Sequence, residues 1–148
     1  MIKIDTRQEW MSLLAKSPKG VLSTLVDALG AAPSFSWLRA PEIGGVMVRG
    51  RAGGTGAAFN MGEMTITRCT LKLEESGVVG HAYVQGRDKD HARNVALVDA
   101  LLQTERAADI RASVLTPLAA DMTTRRNTRA AKAAATKVDF FTLARGED

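Results

Sequence analysis

Apolar residues recur at helical spacing from the first turn of the chain. Trp10, Leu13 and Leu14 share one face, and Asp5 with Gln8 three residues on reads as a capping box in front of them. Ser17-Pro18 restarts the pattern, with serine as cap and proline at the first helical position, where a missing N–H costs nothing. Val21, Leu22, Leu25, Val26 and Leu29 follow, and Gly30 is placed to end the helix in a left-handed conformation. Residues 1–30 are therefore expected to form a helical hairpin.

The period then changes from helical to alternating. Pro33 and Pro41 bracket "SFSWLRA", a short strand with Phe35 and Trp37 on one side. "IGGVMVRGRA" reads as a second strand, with Gly44 and Gly45 marking a bulge or a close backbone approach. From Met64 to Leu73, Cys69, Leu71 and Leu73 alternate with Arg68, Lys72 and Glu74. Val78 to Gly86 supplies a fourth strand. Short links between four strands predict an antiparallel meander over residues 34–87. Asp88 then caps a helix from Lys89 to about Thr104, with Val95, Val98, Leu101 and Leu102 as its apolar face. Residues 106–116 show no clear period. Pro117 can open a last helix to about Lys137, whose large apolar residues are Leu118 and Met122 alone. The expected fold is α+β in one domain: a helical hairpin, a four-stranded antiparallel sheet, and helices over 88–137 on one face. An extended tail at 138–148 carries Phe140, Phe141 and Leu143. An apolar cluster that close to a terminus is expected to dock on a partner.

Composition narrows the classes. At 148 residues, 45% of them hydrophobic, the chain can bury one core. No apolar run reaches the ~20 residues of a membrane span. "MIKIDTRQEW" is polar too early for a secretory signal. A single cysteine, Cys69, excludes an internal disulfide and fits a buried structural thiol in a reducing cytoplasm. The net charge of +4 is concentrated. Arg125, Arg126, Arg129, Lys132 and Lys137 face Asp121 alone within residues 121–137. That segment fits an acidic protein surface, a nucleotide phosphate or nucleic acid. A small basic adaptor binding nucleic acid through 125–137 is the alternative reading; aromatic interleaving and a nucleic-acid-binding motif are both missing.

Two stretches invite a ligand. "RAGGTGAAF" lacks the Gly-Lys pair of a P-loop, and Phe59 stands where a dinucleotide fingerprint needs its third glycine. Arg51, Gly53, Gly54 and Gly56 thus form either a turn with positive φ angles or a backbone nest for a phosphate shared with another chain. "GRDKDHA" places Arg87, Lys89 and His91 at a strand-to-helix junction, where an anion could sit, or where Asp88 simply caps the helix. His81 and His91 are each too isolated for a zinc site. Glu63 and Asp99 have no nucleophile to serve, and Asp99 on a helix fits a solvated or salt-bridged acid. No catalytic triad or metal set is apparent.

Taken in order, "TRQEWM", "GGTGAAFNMGEMTITRC", "VQGRDKDHA" with "ALVDALLQ", "LTPLAAD" and "VDFFTLARGE" resemble one known family. It is the G subunit (PhnG) of the bacterial carbon–phosphorus lyase system, and the likeness runs from about Thr6 to Glu147. The resemblance implies a subunit without catalytic residues of its own, in a cytoplasmic complex with the I subunit foremost and H, J and L besides, two copies to the complex. It implies a transferase reaction in which methylphosphonate displaces adenine from the ribose C1′ of ATP, giving α-D-ribose 1-methylphosphonate 5-triphosphate. ATP and methylphosphonate are then substrates of the complex, and this chain alone binds no cofactor. Within that frame, Arg51, Gly53, Gly54, Gly56, Arg87 and Lys89 are candidates for anion binding. Arg125, Arg126, Arg129, Phe140, Phe141 and Leu143 are candidates for the partner interface.

Overall fold

A computed structural model of the chain describes residues 2–138. Helix α1 (Arg7–Ala15) is capped by Thr6, not Asp5. The Thr6 side chain accepts from the Glu9 N–H, and Glu9 reaches back to the N–H groups of Thr6 at 3.0 Å and Asp5 at 3.1 Å. The capping box is real but lies one residue later than the Asp5–Gln8 pair. The Thr6 backbone N–H, above all, holds the Glu9 carboxyl below its ordinary value. Helix α2 (Val21–Asp27) also starts later than expected: Gly20 stands at its N-cap, and the Ser17 hydroxyl instead donates to the Leu14 carbonyl at 2.7 Å. Ser17 thus closes α1 rather than opening α2. Gly30 takes the expected positive φ.

The sheet has three strands, not four: β1 (Phe35–Arg51), β2 (Ala58–Leu73) and β3 (Val79–Gln85), antiparallel in the order β1-β2-β3. The two expected N-terminal strands are one. Pro41, which has no N–H to give the ladder, is absorbed where Ala40 and Pro41 together lie opposite Cys69, between the pairs Arg39–Thr70 and Glu42–Arg68. A second bulge at Leu38 and a third at Met61 complete the irregularities. Gly44 and Gly45 are not bulged; they pair regularly with Ile66 and Thr65, and nothing crowds Gly44. The close backbone approach lies at Gly80 instead. A Cβ built there would meet the Ala96 carbonyl oxygen at 2.0 Å and the Ala100 nitrogen at 2.9 Å.

That approach seats α3 (Lys89–Leu101) on the sheet. Asp88 caps it as expected, accepting from the His91 N–H at 2.9 Å. Cys69, Leu71, Leu73, Ala82 and Val84 from the sheet meet Val95, Ala96, Leu97, Val98 and Leu101 from α3, with Trp10, Leu13, Leu14 and Leu22 beside them. Leu14, Leu22 and Leu71 are fully buried; burying such a side chain contributes about 1.5–3 kcal/mol. Residues 106–116, which show no period, hold the short helix α4 (Ala107–Ile110) and a π-helical turn (Arg111–Leu115). The turn runs straight into α5 (Thr116–Ala135). The wider turn precedes Pro117, which cannot donate to an ordinary i−4 carbonyl. Ile110, Val114, Leu115 and Leu118 are buried there. Beyond Thr123 every residue of α5 is exposed, as its alanine- and arginine-rich sequence predicts.

Candidate functional site

The glycine cluster is the tip of the β1–β2 hairpin. Ala52–Gly54 makes one short 3-10 turn, with Gly53 at φ 57° and Gly54 at φ 82°. Gly56 donates to the Ala52 carbonyl at 2.9 Å, and a Cβ on Gly56 would lie 2.6 Å from that oxygen. Arg51 spans the loop and donates to the Gly56 carbonyl at 3.1 Å. Conformation and closeness alone account for these glycines.

Arg87 and Lys89 lie elsewhere. Gly86 donates to the Thr65 carbonyl at 2.9 Å and its own carbonyl accepts from the Thr67 hydroxyl at 2.8 Å, so the β3–α3 junction is fastened to β2 near Thr65. Arg51 pairs with Ala58 at the other end of the same strand. Seven residues at strand rise separate the two places by about 23 Å. One phosphate therefore does not bridge them within a single chain. At the junction the Asp88 carboxylate already occupies the helix N-terminus, which leaves the side chains of Arg87 and Lys89, both exposed, as the groups open to an anion. His91 Nε2 is buried there without a hydrogen-bond partner.

The buried polar centre is a different constellation. Asp99 is 0% exposed. Its carboxylate accepts from Arg7 Nε (Oδ1, 3.1 Å) and Nη2 (Oδ2, 2.7 Å), from Trp10 Nε1 (3.0 Å) and from the His81 N–H (3.0 Å). Arg111, from the π-helical turn, stacks over the Trp10 ring at 5.0 Å and donates to the carbonyls of Ile4 and Asp5. Two segments, α1 and β3, thus converge on an acid carried by α3, and Arg111 braces the Trp10 ring from outside. Every oxygen of Asp99 is engaged, so the arrangement is a structural anchor rather than a proton-transfer site. Neither Arg7 nor Arg111 stands out in the sequence. Asp99 does carry a signal: it stands in "VALVDALL", where apolar residues surround the helix on all sides, so an acid there requires partners.

Cys69 is 1% exposed, and burial pushes its thiol up to about 11. That is the inert structural thiol its alternation implies. His81 Nδ1 pairs with the Thr70 hydroxyl at 3.2 Å. Among the described residues no three His, Cys, Asp or Glu side chains gather as a metal site, and no helix is long and apolar enough to cross a membrane. Of the interface candidates, Arg125 pairs with Asp121 at 3.2 Å, while Arg126 and Arg129 are exposed on the projecting end of α5. Phe140, Phe141 and Leu143 lie outside the described residues.

The family profile described as "Phosphonate metabolism protein PhnG" matches residues 5–146. A curated relative from Rhizobium meliloti (strain 1021) is named alpha-D-ribose 1-methylphosphonate 5-triphosphate synthase subunit PhnG. It is 46% identical over 148 residues, covering 98% of this chain and 92% of the relative. A match over nearly the full length at this identity takes in the Asp99 anchor, the hairpin arm and α5 together, and the chain belongs to the PhnG family of phosphonate metabolism proteins.

Proposed function

We propose that this chain is a subunit of α-D-ribose 1-methylphosphonate 5-triphosphate synthase and acts in phosphonate catabolism only as part of that assembly. The observation that carries the reading is the near-full-length identity to a relative bearing that name. Two physical features support it. The most deeply buried acid, Asp99, is committed to structure, and the single cysteine is protonated and enclosed. Among the described residues, the distal half of the hairpin and the outer half of α5 are largely exposed, as surfaces that other subunits cover are.

In this reading the complex transfers methylphosphonate to the ribose C1′ of ATP with release of adenine, in the cytoplasm. The I subunit is the main neighbour, with H, J and L completing the assembly and two copies of this chain in the complex. Arg125, Arg126 and Arg129 meet an acidic face of that neighbour. Arg87 and Lys89 contribute charge to a phosphate or phosphonate site whose reactive groups lie on another subunit.

Reconstitution tests this. Adenine release from ATP and methylphosphonate is measured with the complete set of subunits, with this chain omitted, and with this chain alone. Release by the complete set only is expected. Full-rate release without this chain, or turnover by the chain alone, overturns the reading.

A further inference from the structure

The core helices pack on one face of the sheet, the face of Cys69, Leu71, Leu73, Ala82 and Val84. Residues that alternate with these point to the opposite face. There the strand pairing sets two polar rows side by side, Arg39–Thr70–His81 and Glu42–Arg68–Tyr83. Thr70 and Arg68 stand two residues apart on β2, about 6.6 Å at strand rise. Each row crosses three strands, a width of about 10 Å. Arg39, Glu42 and Tyr83 are exposed, and Arg68, Thr70 and His81 are half-buried. The Thr70 hydroxyl and His81 Nδ1 already share a hydrogen bond, so this row is ordered before any ligand arrives.

Two arginines meet one atom on this face. Arg68 Nε lies 2.6 Å from Glu42 Oε1, and Arg39 Nε lies 3.6 Å from the same oxygen. Among the described residues no other acid oxygen is reached by two arginines. Glu42, and to a smaller extent Tyr83, holds the Arg68 guanidinium above its ordinary pKa. Two guanidinium forks carry more N–H donors than one carboxylate can accept. The charge is one-sided as well. Arg39, Arg68 and, one row further along β2, Lys72 stand against Glu42 alone. The other charges of the sheet lie elsewhere: Glu63, Arg49 and Arg51 pair with Met47, Asn60 and Ala58 on the face that carries Cys69. Glu74 and Glu75 follow the end of β2.

We propose that this platform binds the tetrahedral oxyanion of a small phosphate or phosphonate, held by Arg39 and Arg68, with Glu42 as the internal acid that the ligand displaces. The cations converge on one point rather than spread over the face, which suits one concentrated charge. A doubly charged oxyanion offers the two forks more charge than the Glu42 carboxylate does. The Tyr83 and Thr70 hydroxyls stand beside it as further hydrogen-bonding groups. The site uses neither Arg87 nor Lys89, and it does not depend on which assembly the chain joins.

The test titrates the full chain with inorganic phosphate, methylphosphonate and tripolyphosphate at constant ionic strength, read by NMR. The Arg39 and Arg68 Nε–H signals should shift and saturate, and the tighter ligand shows whether the site favours a phosphonate or a triphosphate. Arg39→Ala with Arg68→Ala should weaken binding about tenfold or more. Glu42→Gln should tighten it about threefold or more, because a neutral amide no longer competes for the two arginines. Lys16→Ala with Lys19→Ala removes the same charge from exposed positions off the sheet and should bind as wild type. All three variants should melt like wild type, since exposed ion pairs hold little of the fold. A wild-type chain with no saturable shift for any of the three anions overturns the site. So does Glu42→Gln that binds no better than wild type, which would make the network an ordinary surface clasp. Equal weakening by the lysine pair overturns it in favour of net charge alone. Each of these outcomes leaves the subunit reading intact, because adenine release by the reconstituted complex tests that separately.

Discussion

Arg7 grips Asp99 from 92 residues away with two hydrogen bonds, at 3.1 and 2.7 Å, one from Nε and one from Nη2. The acid is fully buried while the Arg7 side chain remains 42% exposed. The pair ties the first helix to the central one, and the Trp10 indole and the His81 N–H complete the acceptor's needs. Removing Arg7 leaves a buried carboxylate with two neutral donors. Arg7→Ala should therefore cost about 2 kcal/mol, less than the ~3–5 kcal/mol of a fully enclosed pair because water already reaches the guanidinium. Asp99→Ala should cost more, since it orphans the indole and a strand N–H at once. Urea titration of both variants checks the order; Asp99→Ala proving the milder change would contradict it.

Gly80 has no room for a methyl group. With the Ala96 carbonyl oxygen 2.0 Å from the Cβ position, Gly80→Ala must push α3 off the sheet. The expected loss is about 2–3 kcal/mol. Gly44→Ala, where nothing lies within 4 Å, should change stability by less than about 0.5 kcal/mol. Paired thermal melts of the two variants separate a packing requirement from a general intolerance of glycine loss.

The Cys69 thiol gives stability a signature at high pH. Its folded-state value is pushed up to about 11 by burial, above the ~8.5 of an exposed thiol. The folded state then keeps its proton where the unfolded state loses it. Stability from this group is whole below about pH 8.5 and falls as pH rises through the folded value. The wild-type urea midpoint should drop more steeply than that of Cys69→Ala between about pH 9 and 11, since lysines and tyrosine contribute alike to both proteins. Parallel slopes would show that Cys69 does not titrate in this way.

Arg87 and Lys89 stand apart from Arg51, so their effects should separate. In the assembled complex, Arg87→Ala with Lys89→Ala should raise the KM for ATP or methylphosphonate several-fold with assembly unchanged. Steady-state adenine release would measure it. Identical kinetics in an intact complex would assign both residues to the solvated edge of α3.

The terminal segment is open to a direct experiment. Deleting residues 138–148, which carry Phe140, Phe141 and Leu143, should abolish co-purification with the neighbouring subunit while leaving the chain folded, because among the described residues the core cluster reaches no further along the chain than Leu118 and Met122. Retained co-purification would place the contact elsewhere on the chain.

Much of this protein is written in local pattern. The helical spacing of Trp10, Leu13 and Leu14, the Asp88 cap, the alternation at Cys69, Leu71 and Leu73 and the positive φ at Gly30 each depend on residues a few positions apart, so a linear reading reaches them. The family likeness is legible for the same reason, in short ordered stretches. What folding in three dimensions decided rests on distant contacts. Pro41 ends a strand in isolation, but a continuous partner strand carries β1 past it through a bulge. Asp99 is an ambiguous acid until Arg7 and Trp10 reach it from another helix. Gly80 is unremarked in the sequence until α3 lies across it. Local pattern sets what each segment prefers; which segments meet is settled only when burial of one pays the desolvation of another.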